Sequence, residues 1–472
     1  MIKFRWLLCG LAALVACEPP ILSPNQDSGA KEGDLSSPPS EDLRPPSDGA
    51  LQVGDLGTQI DSGVTRYPHA AVASPITAAV KQRLRAIAAT NASRQEHVFL
   101  KAGASGTVST NLLFCFSGSA TPQYTLALDG RDALLPSIEH FRLGQIGQTT
   151  PFNRVTLAAK VGSSAVWAIT GSPSPLEQEI TASNPRFAFV NYGTNDMGQA
   201  ATYQAALFPF YDNMSSLLDQ LEQGGIVPIV SGLNPRGDSA AAELLVPTWD
   251  VVTRALAEAR QLPYISLFRM SLPLAKLGLL SDGLHGNVYV DGKAQPCMFT
   301  AEGLAFNYNA RNLASIEALD AVRKVVLDDA AAPSTVPIAS LVGSGTASDP
   351  FVIDGLPFSH SFSTSGGQRL NDNYPGCGAT QNESGPEISY KLALAAQTPL
   401  RILVFDRGTV DVDLHLLTND ACVARNDRLI ERTQPQGEHR IVVDTFVSGG
   451  TEHAGEYLLV VVPCEAGDTS CQ

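Results

Sequence analysis

The chain predicts an α/β domain built on a parallel sheet with helices on both faces, followed by a smaller all-β sandwich. Three observations predict it. From about residue 74 to residue 328, short apolar runs alternate with segments of helical spacing, the pattern of a parallel sheet with helical crossovers. Past Asp328 helical periodicity stops, and β-rich runs separated by Gly, Asn and Asp clusters replace it. At 472 residues the chain also exceeds the usual size of one hydrophobic core.

The elements follow in order. Met1 to Arg5 is basic, and the apolar run Trp6 to Ala16 is too short to span a bilayer but suits a signal-peptide core. It ends in Leu14-Val15-Ala16-Cys17, which resembles a bacterial lipobox. That implies cleavage before Cys17, acylation of its thiol, and a membrane attachment through lipid rather than a spanning helix. Residues 1–16 are therefore read as a lipoprotein signal peptide. Residues 17–66 are rich in Pro, Ser, Gly and Asp with few large apolar side chains, and are read as a disordered tether.

The α/β domain is assigned to 67–328. Ser74-Pro75 offers an N-cap and a first-turn proline for a helix over Ile76 to Thr90. Strands are expected at His97 to Ala102, Phe187 to Asn191, Ile226 to Ser231 and Pro263 to Leu267. Helices are expected at Tyr203 to Gln223, Ala240 to Gln261 and Ala310 to Leu327. Residues 329–340 form a linker. The β-sandwich domain, 341–472, has strands at Glu387 to Leu394, Leu400 to Phe405, Val412 to Leu417, Arg440 to Asp444 and Glu456 to Val462.

A net charge of -15 argues against nucleic acid or an anionic membrane surface as the main partner, and loss of Lys3 and Arg5 with the leader gives -15 - 2 = -17. With Cys9 removed and Cys17 lipidated, Cys115, Cys297, Cys377, Cys422, Cys464 and Cys471 remain, an even set for an oxidising compartment. Cys115 is paired with Cys297, and the other four are assigned to the second domain with open connectivity.

The chemistry centres on Ser281-Asp282-Gly283-Leu284-His285. A histidine acting as general base needs its far ring nitrogen held, and a carboxylate three residues earlier in a turn can hold it. A nucleophile then comes from Ser105, which follows the first apolar strand, and an oxyanion donor from Asn195 in Gly193-Thr194-Asn195-Asp196. Read alone, Ser105 is a turn or cap residue, Asn195 a capping residue and Asp282 an Asx-turn residue; together they read as a site. No second His or Cys cluster stands near the Asp/His turn at metal-ligand spacing, so no metal is assigned there. In the second domain Asp406, Asp411, Asp413, Asp420 and Asp427 are oxygen ligands of the kind that hold calcium, weighed against ordinary solvent-facing strand positions.

Taken together, Gly103-Ala104-Ser105, Gly193-Thr194-Asn195-Asp196 and Asp282-Gly283-Leu284-His285 resemble, in order and position, three blocks of the SGNH hydrolases, also called the GDSL esterase/lipase family. The resemblance spans roughly Glu96 to Lys324. It implies a flavodoxin-like three-layer domain with Ser105 as nucleophile, His285 as base and Asp282 orienting it. It also implies an oxyanion hole from the Ser105 amide, the Asn195 side chain and a second-block glycine amide. Gly162 is the choice for that glycine over Gly144 and Gly147. Family members usually carry aspartate where this chain has Ala104, so a contribution at the serine turn is missing. The second domain loosely resembles the pre-peptidase C-terminal modules of secreted hydrolases.

The expectation is an exported serine esterase, lipid-anchored in the bacterial cell envelope or secreted. It would cleave carboxylic esters, including O-acyl groups on carbohydrate, through an acyl-enzyme and without a cofactor. A surface-binding lipoprotein that has lost catalysis, and an acyltransferase acting on envelope glycan, are the alternatives.

Overall fold

The structure is a computed structural model that describes residues 63–118, 124–378 and 380–472. The signal peptide, Cys17 and nearly all of the tether lie outside the described residues. The last residues assigned to the tether do not: β1 (Val64–Thr65) pairs antiparallel with β8 (Ile338–Ala339), and Thr65 is fully buried. Both partners of that ribbon fall in stretches read as linkers. Strands of two residues leave no periodicity to read.

α1 (Ala78–Thr90) starts two residues later than its spacing predicts, because Thr77 rather than Ser74 caps it, its side chain accepting from the Val80 amide. β2 (Gln95–Gly103) leads into α2 (Ser105–Val108). α3 (Leu135–Arg142), α4 (Ala165–Ile169) and α5 (Pro175–Ser183) precede β3 (Pro185–Asn191). α6 (Leu207–Gln223) and β4 (Val227–Ser231) follow. The helix expected over 240–261 is broken at Leu244-Leu245 into α7 (Ala240–Glu243) and α8 (Val246–Ala259), because Pro247 fits only the first turn of a new helix. β5 (Tyr264–Ile265), α9 (Leu267–Ser271), the hairpin β6 (Val290–Asp291) and β7 (Lys293–Ala294), α10 (Ala301–Leu304) and α11 (Asn307–Val326) complete the domain.

β2, β3, β4 and β5 form a parallel sheet in that order. β4 and nearly all of β3 are buried, which requires cover on both faces and explains their continuous apolar runs. On the other side of β2, Gly103 makes a parallel bridge to Ala159: the Gly103 amide donates to the Ala158 carbonyl (3.1 Å) and the Lys160 amide to the Gly103 carbonyl (3.2 Å). The chain leaving β2 thus returns first on one side and then, as β3, on the other. Ser105 opens into that crevice, the switch point at which open α/β sheets bind ligands.

The second region is a sandwich. β9 (Phe351–Ile353), β10 (Phe358–Ser363), β11 (Ile388–Leu394), β12 (Thr398–Phe405), β13 (Val412–Thr418), β14 (Ala421–Asn426), β15 (Leu429–Gln434), β16 (Gly437–Thr445), the short pair β17 (Val447–Ser448) and β18 (Thr451–Glu452), and β19 (Glu456–Pro463) build it. Its sheets run β10-β19-β12-β15 and β14-β13-β16-β11-β9. Alternation along β12 sends Leu400, Ile402 and Val404 into the sandwich core, while Leu403 and Phe405 join the core of the α/β region. β19 divides likewise, with Leu459 and Val461 inward and Leu458, Val460 and Val462 outward. Both strands are apolar on both faces because both faces are covered.

The two regions therefore share one core, and α8, buried along almost its whole length, lies between them. Arg401, fully buried on β12, donates to Thr248 of α8 (2.9 Å), Glu431 (2.6 Å) and Asp468 (2.7 Å). Phe405 packs on Phe208 and Tyr211, and Arg407 pairs with Asp219 of α6 at 2.8 Å. Disulfides join Cys115 to Cys297, as expected, and Cys377 to Cys422 and Cys464 to Cys471, which fixes the connectivity of the second domain. Among the described residues no helix is long and apolar enough to cross a membrane.

Candidate active site

Ser105 is presented by the turn from β2 into α2. Gly103 is needed there: a Cβ would lie 2.1 Å from Thr107 Oγ1 and 2.7 Å from the Asn191 carbonyl. Ala104 takes the extended N-cap position without a side-chain cap, as its missing carboxylate requires. Among the described residues the Ser105 and Gly106 amides have no acceptor, because the first amides of a helix have no partner within it.

The Asp282/His285 turn is held from three directions. The Leu280 amide donates to the His285 carbonyl (2.8 Å), the Asp238 amide to the Gly283 carbonyl (3.1 Å), and the Asn287 amide to the Gly278 carbonyl (2.8 Å). The side-chain oxygen of Asn287 in turn accepts from the first amide of α11, at Asn307 (2.9 Å). Gly283 has a positive φ of +67°, and a Cβ there would stand 2.6 Å from the Asp238 amide nitrogen.

The result is a continuous relay. Ser105 Oγ lies 2.9 Å from His285 Nε2, and His285 Nδ1 lies 2.7 Å from Asp282 Oδ2. Asp282 Oδ1 accepts from the Leu284 and His285 amides, each at 3.0 Å. The His285 amide, then its ring, then the Leu284 amide hold the Asp282 carboxyl down at about 2. Asp282 thus stays ionised over the working pH range, although it is exposed.

Asn195 and Gly162 are placed differently. Asn195 is half-buried and donates one side-chain hydrogen to the Ser163 carbonyl (2.8 Å), leaving its second hydrogen for another acceptor. Gly162 sits exposed at positive φ on the Lys160–Ser163 turn and is not among the residues lining the cavity at Ser105. Asp196 locks these loops together, accepting from the Ala165 amide (2.7 Å) and the Gly193 amide (2.9 Å). Burial pushes its carboxyl up to about 6.

A small cavity of about 30 Å³ adjoins Ser105 and His285. Asn191, Thr194, Asn234 and Arg311 line it besides the relay; Thr194 belongs to the block Gly193–Asp196, and the other three have no site role in the sequence reading. Asn191 and Asn234 end or follow strands β3 and β4, so the strand-end rule could have flagged them. Arg311, buried on α11, donates to Asn191 Oδ1 (2.9 Å) and approaches the Gly106 carbonyl (3.4 Å); a lone arginine on a helix carries no sequence signal.

Three of the acidic residues weighed for calcium have separate partners. Asp406 accepts from the Val412 amide (3.0 Å), Asp413 pairs with Arg425 (2.9 Å), and Asp420 lies 3.5 Å from Arg440. Among the described residues no three of the five bring ligand atoms within reach of one ion.

A parallel α/β sheet with a Ser-His-Asp relay at the carboxyl ends of its strands has the architecture of a serine-hydrolase centre. No family model and no curated protein matches the chain. Solved structures with a similar fold include a GDSL-like lipase from Bacteroides thetaiotaomicron, 13% identical, covering 51% of this chain and 98% of its own, at a TM-score of 0.28. A two-domain esterase active on acetylated mannans, crystallised with mannopentaose, is 11% identical and covers 86% of this chain and 98% of its own, at 0.28. An acetylxylan esterase from Geobacillus stearothermophilus is 12% identical, with 47% and 93% covered, at 0.30.

Proposed function

We propose that the chain is a serine esterase that cleaves short acyl groups from a polar alcohol. The observation that carries this reading is the unbroken relay Ser105–His285–Asp282. Ser105 Oγ attacks the ester carbonyl carbon as His285 Nε2 takes its proton, and ionised Asp282 stabilises the imidazolium at Nδ1. The oxyanion would be met by the unpaired Ser105 and Gly106 amides, with the second hydrogen of Asn195 and the Gly162 amide as further proposed donors. His285 returns the proton to the leaving alcohol. Water, activated by the same base, then releases the acid from acyl-Ser105.

Cavity size supports the acyl preference. The volume of about 30 Å³ matches a group the size of an acetyl methyl better than a long chain, which supports a short acyl group. The polar lining of Asn191, Thr194 and Asn234 supports a hydroxyl-rich leaving group, and O-acylated carbohydrate is the substrate class we propose. Export and lipid anchoring through Cys17 remain part of the proposal, supported by the basic start, the short apolar run and the small residues before Cys17.

The test compares aryl acetate, butyrate and octanoate, then acetylated xylan and mannan, with release of free acid as the readout. The reading predicts acetate well ahead of octanoate and acid release from at least one acetylated glycan. Preference for octanoate would overturn the proposed substrate class, and no hydrolysis of any ester by folded protein would overturn the reading itself.

A further inference from the structure

The five-stranded sheet of the sandwich has one face in the core and one outside it. Val412, Leu414 and Leu416 of β13 and Ile441 and Val443 of β16 point inward. The alternate positions Asp413, His415 and Asp444 then fall on the outer face, where water would ordinarily solvate them. They are not solvated. Asp413 is 3% exposed, and His415 and Asp444 are fully buried, as is Glu383 from the preceding loop.

That loop closes over the face. Tyr374 stacks on the His415 ring with centroids 3.6 Å apart, and Cys377 is bonded to Cys422 of β14. Beneath it, a ring nitrogen of His415 and one carboxylate oxygen each from Glu383 and Asp444 lie within 4.8 Å of one another. Among the described residues neither ring nitrogen of His415 has a hydrogen-bond partner, nor has Glu383 Oε2, and His415 Nε2 lies 3.9 Å from Glu383 Oε1. Native interiors rarely leave such groups unsatisfied unless a water or an ion completes them.

Charge points to an ion. Glu383 and Asp413 share the guanidinium of Arg425, at 3.2 Å and 2.9 Å, and Asp444 adds a third buried carboxyl group beside Glu383. We infer that Glu383, His415 and Asp444 bind a divalent transition-metal cation of the Zn²⁺ class, which pins the 380–387 segment onto β13 and β16. An imidazole beside two carboxylates selects Zn²⁺ over Ca²⁺, which prefers six to eight oxygens. Ligand atoms about 2.1 Å from a tetrahedral ion stand about 3.4 Å apart, so side-chain adjustment of under about 1.5 Å completes the site. The Tyr374 hydroxyl, bonded to Asp444 Oδ2, holds that carboxylate in place. Among the described residues the other buried cluster of this kind, Cys464, Asp468 and Cys471, has both sulfurs in a disulfide and does not compete.

The full chain, free of affinity tags and stripped with a chelator, is titrated separately with Zn²⁺ and Ca²⁺ by calorimetry. The expected result is one Zn²⁺ per chain, at least 100-fold tighter than Ca²⁺, and at least 10-fold weaker in E383Q and H415Q. Hydrogen exchange of the wild type needs no variant to fold: Zn²⁺ should slow exchange within 380–387, 412–418 and 441–445. Absence of stoichiometric Zn²⁺ uptake, tighter Ca²⁺ than Zn²⁺, wild-type affinity in both variants, or protection confined to other segments would each overturn the site.

Discussion

Replacing Gly283 with alanine isolates the turn that brings acid and base together. Gly283 has a φ of +67°, a conformation that costs a residue with a Cβ about 1–2 kcal/mol. In addition, the new methyl would stand 2.6 Å from the Asp238 nitrogen and the Gly237 carbonyl carbon, both backbone atoms that cannot rotate away. Relief requires most of an ångström of movement in a turn whose neighbours, Asp282 and His285, form the relay. Misplacement of about 1 Å costs roughly 100-fold in rate, equivalent to about 2.7 kcal/mol of barrier. Gly292, at the β6–β7 hairpin, supplies the control: it has the same φ of +67° but open space around its Cβ position. Initial rates of acetate release and thermal unfolding are measured for both variants. Both should lose a similar amount of stability to the backbone term, about 1–2 kcal/mol, with a further loss from the clash in Gly283→Ala, and only Gly283→Ala should lose kcat by about 100-fold. Equal kcat in the two would refute the claim that backbone contact at Gly283 sets the relay.

Asp282→Asn should lower kcat by about 10²–10⁴-fold with little change in KM, towards the smaller figure because Asp282 is exposed; a loss below threefold would show that the carboxylate does not orient His285. Lys101, buried with Nζ on the Phe152 carbonyl at 2.8 Å, is brought down to about 7 by burial. Between pH 7 and 10.5 the unfolded chain then holds a proton that the folded one has released, so stability should rise with pH across that window, by roughly 5 kcal/mol at most. Lys101→Met should flatten that rise and stabilise the protein at pH 6, as read from denaturant unfolding at each pH; an unchanged slope would contradict the buried-ammonium assignment. Arg401→Ala should cost about 3 kcal/mol, because it strands the buried Asp468 and half-buried Glu431 carboxylates at the seam between sheet and α8; a loss under about 1 kcal/mol would show that the seam does not depend on it.

Where the chain repeats a pattern, the fold was legible. Alternating apolar runs and helical spacing place β2, β3, β4, α6 and α11 to within a few residues. What escapes is short or contextual. α2, α4 and α9 have four or five residues, too few to show a period. The sharing of one core by the two regions is a property of both faces of β12 and β19, and in sequence it looks only like strong hydrophobicity. The relay was legible because Asp282 and His285 are three residues apart and Ser105 follows a strand. Arg311 and the buried face of Asp413, His415 and Asp444 were not, since their meaning lies in what the fold stacks upon them.

The most direct measurement is labelling of the wild-type chain with a fluorophosphonate, followed by peptide mass mapping. The expected result is one adduct, on Ser105, lost in Ser105→Ala and strongly slowed in His285→Ala, alongside loss of ester hydrolysis in both. An unlabelled, correctly folded wild type, or an adduct on another serine with hydrolysis retained in Ser105→Ala, would contradict the assignment of Ser105 as nucleophile.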